Sequence, residues 1–231
     1  MTALRLPGHV HAAATARGGG VLLDRNSGRC YALNATAFAL LSEWDRSGDF
    51  AAGLRRVAAR DPAYRGERFA RDSRTLADRL VAAGLLTSSP VPEAPVPEAA
   101  FEPSDAGESG RFAAVAVLVA SVLVRLPFRV TAAVLEFSRR HWCRAGATRE
   151  QVLAVILSAD AGTRLHPGRV ACLELSLGAV LALALRRRYA ALVIGAAGDP
   201  CRFHAWVRAQ DGPLNYPPET DLDDFRPVFT V

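Results

Sequence analysis

The chain has 231 residues, half of them hydrophobic, which is enough for one large core or two small ones. Its formal charge is +5 and all 28 basic residues are arginine, but the arginines between 55 and 79 are interleaved with Asp and Glu. That pattern reads as solvated helix faces and argues against a nucleic-acid partner.

Four cysteines, Cys30, Cys143, Cys172 and Cys201, lack CxxC spacing. They support neither a disulfide scaffold nor a zinc site, so the expectation is a reduced, cytoplasmic protein without metal or other cofactor. A metal held by Cys172, Cys201 and His204 would lack a second ligand cluster. The first 20 residues have no compact apolar segment after a basic start, which speaks against a signal peptide. The longest apolar run, FAAVAVLVASVLV at 112–124, falls short of the roughly 20 residues of a spanning helix, so a membrane location is not expected.

In chain order, GGGVLLDRNSGRCYALN predicts two short strands, Val21 to Asp24 and Arg29 to Leu33, around a turn at Asn26, Ser27 and Gly28. Three helices follow. The first is capped by Asn34 or Thr36 with Phe38, Leu41 and Trp44 on one stripe; the second spans DFAAGLRRVAARD; the third spans RFARDSRTLADRLVAAGLL and stops at Gly84. A hairpin and three helices within 1–88 predict a small winged-helix-like unit. The segment 89–111, rich in proline and carboxylates, reads as an extended linker.

A second domain is expected over 112–231. Helices are predicted at 112–124, over FRVTAAVLEFSRRHW, and over TREQVLAVILSAD with a Thr148/Gln151 capping box. GRVACLELSLGAVLALALRRR is apolar all round, as a buried helix should be, and three arginines suit the negative end of its dipole. AALVIGAA and FHAWVRA read as strands, the second running into a hairpin at Asp211-Gly212. The fold class is α+β.

Chemistry concentrates at Cys172 and His204. Cys172 opens the buried helix, where the positive end of the macrodipole lowers a thiol pKa and an unpaired backbone N–H can meet an oxyanion. His204 begins the next strand but one and could take the thiol proton. His166, just before the helix, could also donate to an oxyanion. The alternative for Cys172 is an inert small hydrophobe, and for Trp206 ordinary core packing.

The stretch HPGRVACLELSLGAVLALALRRRYAALVIGAAGDPCRFHAWVRAQDG resembles the transglutaminase-like leader peptidase of lasso-peptide biosynthesis, with its cysteine opening a leucine-rich helix, then LVIG, HAWV and DG. GRCYALNATAFALLSEW similarly resembles the PqqD-like precursor-recognition domain. The two in this order imply a papain- or transglutaminase-like cysteine peptidase that cuts the leader from a ribosomal precursor peptide, beside an asparagine-synthetase-like cyclase partner. The resemblance puts Cys172 and His204 in a Cys-His-Asp triad and a leader-binding strand at Arg29, Cys30, Tyr31, Ala32 and Leu33, with the third helix, around Arg71 to Leu80, lining the groove.

Tyr216 stands where the resemblance would put the triad aspartate. If Asp211-Gly212 forms a two-residue turn, position 204 pairs with 219 and Glu219 faces His204. Asn215 shares that face four residues away, roughly 13 Å along a strand; Asp211 sits at the tip. The candidates for the third member therefore rank Glu219, Asn215, Asp211. Two alternative readings stand beside the peptidase: a non-enzymatic peptide-binding scaffold with a decayed triad, and an amine-directed acyltransferase.

Overall fold

The computed structural model describes residues 4–15, 18–61, 64, 66–88, 111–163, 171–197, 202–216 and 220–231. They fall into two units, one drawn chiefly from residues 1–96 and the other from 97–231. The proline-rich segment 89–110 lies outside the described residues.

In the first unit three strands, β1 (Val10–Ala14), β2 (Gly20–Asp24) and β3 (Cys30–Leu33), form an antiparallel sheet in the order β1-β2-β3. The sequence predicts only two of these strands. The alanines of VHAAA have little strand propensity, and β1 exists because its backbone pairs with the buried Val21, Leu22 and Leu23 of β2. Helix α1 (Ala35–Ser47) starts where the Asn34 side chain accepts the Ala37 N–H at 2.8 Å, and ends at Gly48, whose φ of 68° suits a residue without a Cβ. Asp49 caps α2 (Phe50–Arg60) through the N–H groups of Ala51 and Ala52. Helix α3 (Glu67–Ala82) is followed by Gly84 at φ 71°, as its sequence predicts.

Leu22, Leu41, Trp44, Leu80 and Leu85 anchor this core. Buried Glu43 takes Arg46, Arg56 and Arg60 on its carboxylate, so three of the unit's guanidinium groups are committed to an internal ion cluster.

The second unit is helical up to its sheet. Helix α4 (Arg111–Leu123) buries Ala116, Val117, Ala120 and Ser121 and leaves Leu118, Val119 and Val122 exposed, a surface-docked helix. No helix among the described residues is long and apolar enough to cross a membrane. The single helix expected over FRVTAAVLEFSRRHW is α5 (Phe128–Phe137) continued by a π-helical turn at Ser138–Trp142, closed by the Cys143 N–H on the Ser138 carbonyl. A two-residue strand, β4 (Ala145–Gly146), precedes α6 (Arg149–Thr163), where Thr148 and Gln151 exchange the two bonds of their capping box.

Helix α7 (Cys172–Leu185) is buried from Leu175 to Ala184 except for half-buried Leu181; Leu185 at its end is exposed. The arginines that follow do not all serve its dipole. Arg188 is buried in β5 (Arg188–Tyr189), which pairs with β4, and its guanidinium reaches the Gly146 carbonyl.

Four strands complete the unit: β6 (Ala191–Ala197), β7 (Arg202–Ala209), β8 (Gly212–Leu214) and β9 (Arg226–Thr230), in the order β8-β7-β6-β9. All seven residues of β6 are buried, so it forms the middle of the layer. The sequence does not announce β9, a five-residue edge strand that starts Arg-Pro. Gly195, at the β6 bulge opposite β9, leaves room for the Trp206 indole: a Cβ there would stand 2.5 Å from the ring. Trp206 is core, and its ring also stacks beside His204 at 6.3 Å.

The β7–β8 register corrects the hairpin expected from Asp211-Gly212. Ala209 pairs with Gly212 and Val207 with Leu214, so Gln210 and Asp211 are the turn residues. Gly212 has φ 136°, a conformation glycine takes freely and a side chain would resist, so it serves as the first residue of β8 rather than as part of the turn.

Candidate active site

Cys172 is the first residue of α7 and its backbone N–H has no acceptor within the helix. Ala171, at the N-cap, has no side-chain oxygen to offer. Glu174 instead accepts the Ala171 N–H at 2.7 Å, which secures the chain entering the helix and leaves the first helical N–H groups for other partners. The thiol is half-buried, and α7 packs against β7, the strand that carries His204.

His204 is buried at 7% exposure and hydrogen bonded to Cys172. Its other side is held by Asn215: the ring Nε2 lies 2.8 Å from Asn215 Oδ1. The Asn215 amide nitrogen donates to the Thr220 carbonyl, so the oxygen is the atom turned to the imidazole. Nε2 therefore carries the proton given to Asn215, and Nδ1 is the nitrogen left for the thiol. Phe225, with its ring centroid 5.4 Å from that of His204, and Trp206 close the imidazole in from its faces.

The electrostatics follow from these contacts. The hydrogen bond from His204 holds the Cys172 thiol below the ordinary cysteine range; burial opposes this, while the Ala205 N–H, the charge of His204 and the Leu173 N–H add to it. In His204 the Cys172 bond raises the imidazole pKa, burial lowers it, and the Asn215 bond and the thiolate charge raise it further. The two shifts are mutual, and both favour a thiolate–imidazolium pair.

Cys143 supplies the contrast: its Sγ donates to the Arg188 carbonyl, and burial pushes its thiol up to about 11. Burial without such partners thus holds the Cys143 proton in place. Contact with an imidazole and two N–H groups makes Cys172 the exception.

The other sequence candidates are placed as follows. The observed turn lies one residue earlier than expected, at Gln210-Asp211, so each cross-strand partner moves two residues toward the turn. Asn215 is then one diagonal step away instead of four residues, within reach of a side-chain hydrogen bond. Glu219, ranked first on the other register, lies outside the described residues, as do Cys201 and His166. Asp211 is turned away from His204: its carboxylate accepts the Arg149 N–H at 2.9 Å and caps α6. Tyr216 likewise has another task, donating its hydroxyl to Asp160 at 2.9 Å. In the first unit β3 is an edge strand of its sheet, with Arg29, Cys30 and Ala32 exposed and Tyr31 and Leu33 packed toward the core. Among the described residues no three His, Cys, Asp or Glu side chains cluster as metal ligands would.

A nucleophile, a base and an orienting amide can carry out acyl transfer at a carbonyl. The family comparison agrees with that chemistry. The model of the transglutaminase-like superfamily, a group that includes cysteine peptidases and acyltransferases and usually works through Cys-His-Asp, matches residues 114–230, half of the chain. No curated protein and no solved structure matches the chain. The matched segment contains α7, β7 and β8 with all three side chains, and by this match the chain belongs to the transglutaminase-like superfamily.

Proposed function

We propose that the chain is a cysteine peptidase that cuts the leader from a ribosomally made precursor peptide, with Cys172, His204 and Asn215 as its triad. The observation that carries this reading is the imidazole of His204 held between the Cys172 thiol and the Asn215 carboxamide.

The thiolate attacks the carbonyl carbon of the scissile amide, and the N–H groups at the start of α7 face the oxygen as it gains charge. The C–N bond then breaks and the proton on His204 passes to the departing amine. Water, giving its proton to the imidazole, cleaves the thioester and returns the free thiol. An asparagine in the third position orients the ring without adding a negative charge, as in the Cys-His-Asn sites of papain-like proteases.

Recognition of the leader is assigned to the first unit, read as a PqqD-like precursor-recognition domain of winged-helix-like build. An extended leader would add to the edge strand β3, with α3 as the far wall of the groove. The register hydrogen bonds Asp24 to Arg29, and by alternation turns the backbone N–H and C=O of Ala32 away from β2, toward the incoming strand. Replacing Ala32 by proline removes that donor from an edge position where the sheet itself does not use it. Affinity for a fluorescent leader peptide is expected to fall by about tenfold or more while the melting temperature changes little. A lasso-peptide pathway, with a cyclase as the next enzyme, is the context in which this pairing of domains fits.

Mass spectrometry of the products tests the proposal. The full chain, incubated with a leader–core precursor peptide, should yield a leader ending in a carboxylate and a core with a free amine. An intact precursor would favour the scaffold reading, and an amine adduct of the leader the acyltransferase.

A further inference from the structure

Ser176 has no part in the mechanism above, yet it stands one turn after Cys172 on α7 and is buried at 7% exposure. A helical serine commonly turns its hydroxyl back to the carbonyl four residues earlier. This one reaches across to the strand: Ser176 Oγ donates to the Ala205 carbonyl at 3.0 Å. Ala205 directly follows His204, and its N–H is, after the His204 hydrogen bond, one of the groups that favour the Cys172 thiolate.

Both polar groups of one strand residue point to the same side of the strand. A hydroxyl that fixes the Ala205 carbonyl against α7 therefore also aims the Ala205 N–H at α7. The sheet leaves these groups available because β8 stops at Leu214. The ladder pairs Ala209 with Gly212 and Val207 with Leu214, and Ala205 would be next, but β8 provides no partner there. The Ser176 hydroxyl of α7 takes up the carbonyl that the ladder leaves open.

We infer that Ser176 is a positioning residue for the catalytic pair: its bond to the Ala205 carbonyl clamps the helix carrying the thiol to the strand carrying the imidazole, and holds the Ala205 N–H on the thiolate. This deepens the peptidase reading and rests on it. Leu173 and His204 stabilise the thiolate directly, whereas Ser176 acts through Ala205.

Alkylation of Cys172 by iodoacetamide across pH, followed by peptide mapping, tests the clamp without any substrate. In Ser176→Ala the midpoint of reactivity should move up by about one pH unit, so that alkylation well below it slows about tenfold. Ser176→Thr, which keeps the hydroxyl, should restore the wild-type midpoint. With precursor, Ser176→Ala should lower kcat and leave KM near its wild-type value.

An unchanged midpoint in Ser176→Ala beside a depressed wild-type one would overturn the inference and leave the peptidase reading standing. A raised midpoint that threonine does not restore also overturns it, by assigning the effect to packing. A wild-type midpoint in the ordinary cysteine range would sink the activated thiol itself, and the clamp with it.

Discussion

Cys172→Ala is expected to abolish precursor cleavage, with kcat/KM falling by on the order of 10⁴ or more, while leader binding and the melting temperature stay near wild type. The loss should be this complete because, among the described residues, the other thiol of this unit, Cys143, is raised to about 11 by burial and bonded to a backbone carbonyl. His204→Ala should be as severe, since it removes the proton acceptor and the largest cause of the lowered thiol pKa together.

The two variants differ in a way that activity alone would miss. In His204→Ala the thiol remains but loses its hydrogen bond and the attraction of the imidazolium, so its pKa rises and alkylation shifts to higher pH. The sign follows from the mutual shifts. A lowered thiol pKa keeps the thiolate populated as pH falls, and a raised imidazole pKa keeps the proton donor populated as pH rises. Wild-type cleavage should therefore be bell-shaped in pH, its acid limb marking loss of thiolate and its alkaline limb loss of imidazolium. Equal cleavage by wild type and Cys172→Ala would end the peptidase proposal. Equal alkylation profiles in wild type and His204→Ala would end the ion pair.

Much of this site is legible in the sequence because it depends on local signals. A cysteine at the opening of a helix apolar on all sides fixes the thiol relative to a dipole, and HAW at the head of an apolar run puts a histidine on an adjoining strand. Caps at Asn34, Asp49 and Thr148 mark their helix starts directly.

The parts that escape the sequence depend on pairing. Asp211-Gly212 carries a strong turn signal, but Asp211 is also the cap of α6, and its bond to the Arg149 N–H fixes it in the turn with Gln210. Moving the turn back by one residue shifts every cross-strand partner by two, which keeps the faces but brings Asn215 nearer to His204 along its strand. The strands β1 and β9 escape for a related reason: an alanine-rich and a proline-containing edge strand acquire their state from a buried partner rather than from their own residues. Ser176 belongs with them, since its partner is set by where β8 ends.

Asn215 is where the pairing matters most for chemistry, and its variants should separate orientation from charge. The carboxamide accepts one N–H from His204 and gives its own to the Thr220 carbonyl, so it fixes the ring's tautomer and plane while remaining neutral. Asn215→Ala removes the acceptor from a buried imidazole, leaving Nε2 unpartnered and the ring free to rotate away from the thiol. The expected loss is about 10²-fold in kcat with little change in KM, because the proposed leader-binding edge strand belongs to the other unit. Asn215→Asp keeps the acceptor and adds a charge beside the imidazolium. The His204 pKa should rise further, and the alkaline limb of the pH profile should move up with it. The carboxylate, however, cannot donate to the Thr220 carbonyl, and two oxygens would then face each other where the amide now bridges. Activity in Asn215→Asp should accordingly fall at the optimum by less than in Asn215→Ala, with the alkaline limb displaced only in the aspartate variant. If removing the amide leaves both rate and pH profile untouched, His204 takes its orientation from Trp206 and Phe225 alone, and the third place in the triad belongs to another residue.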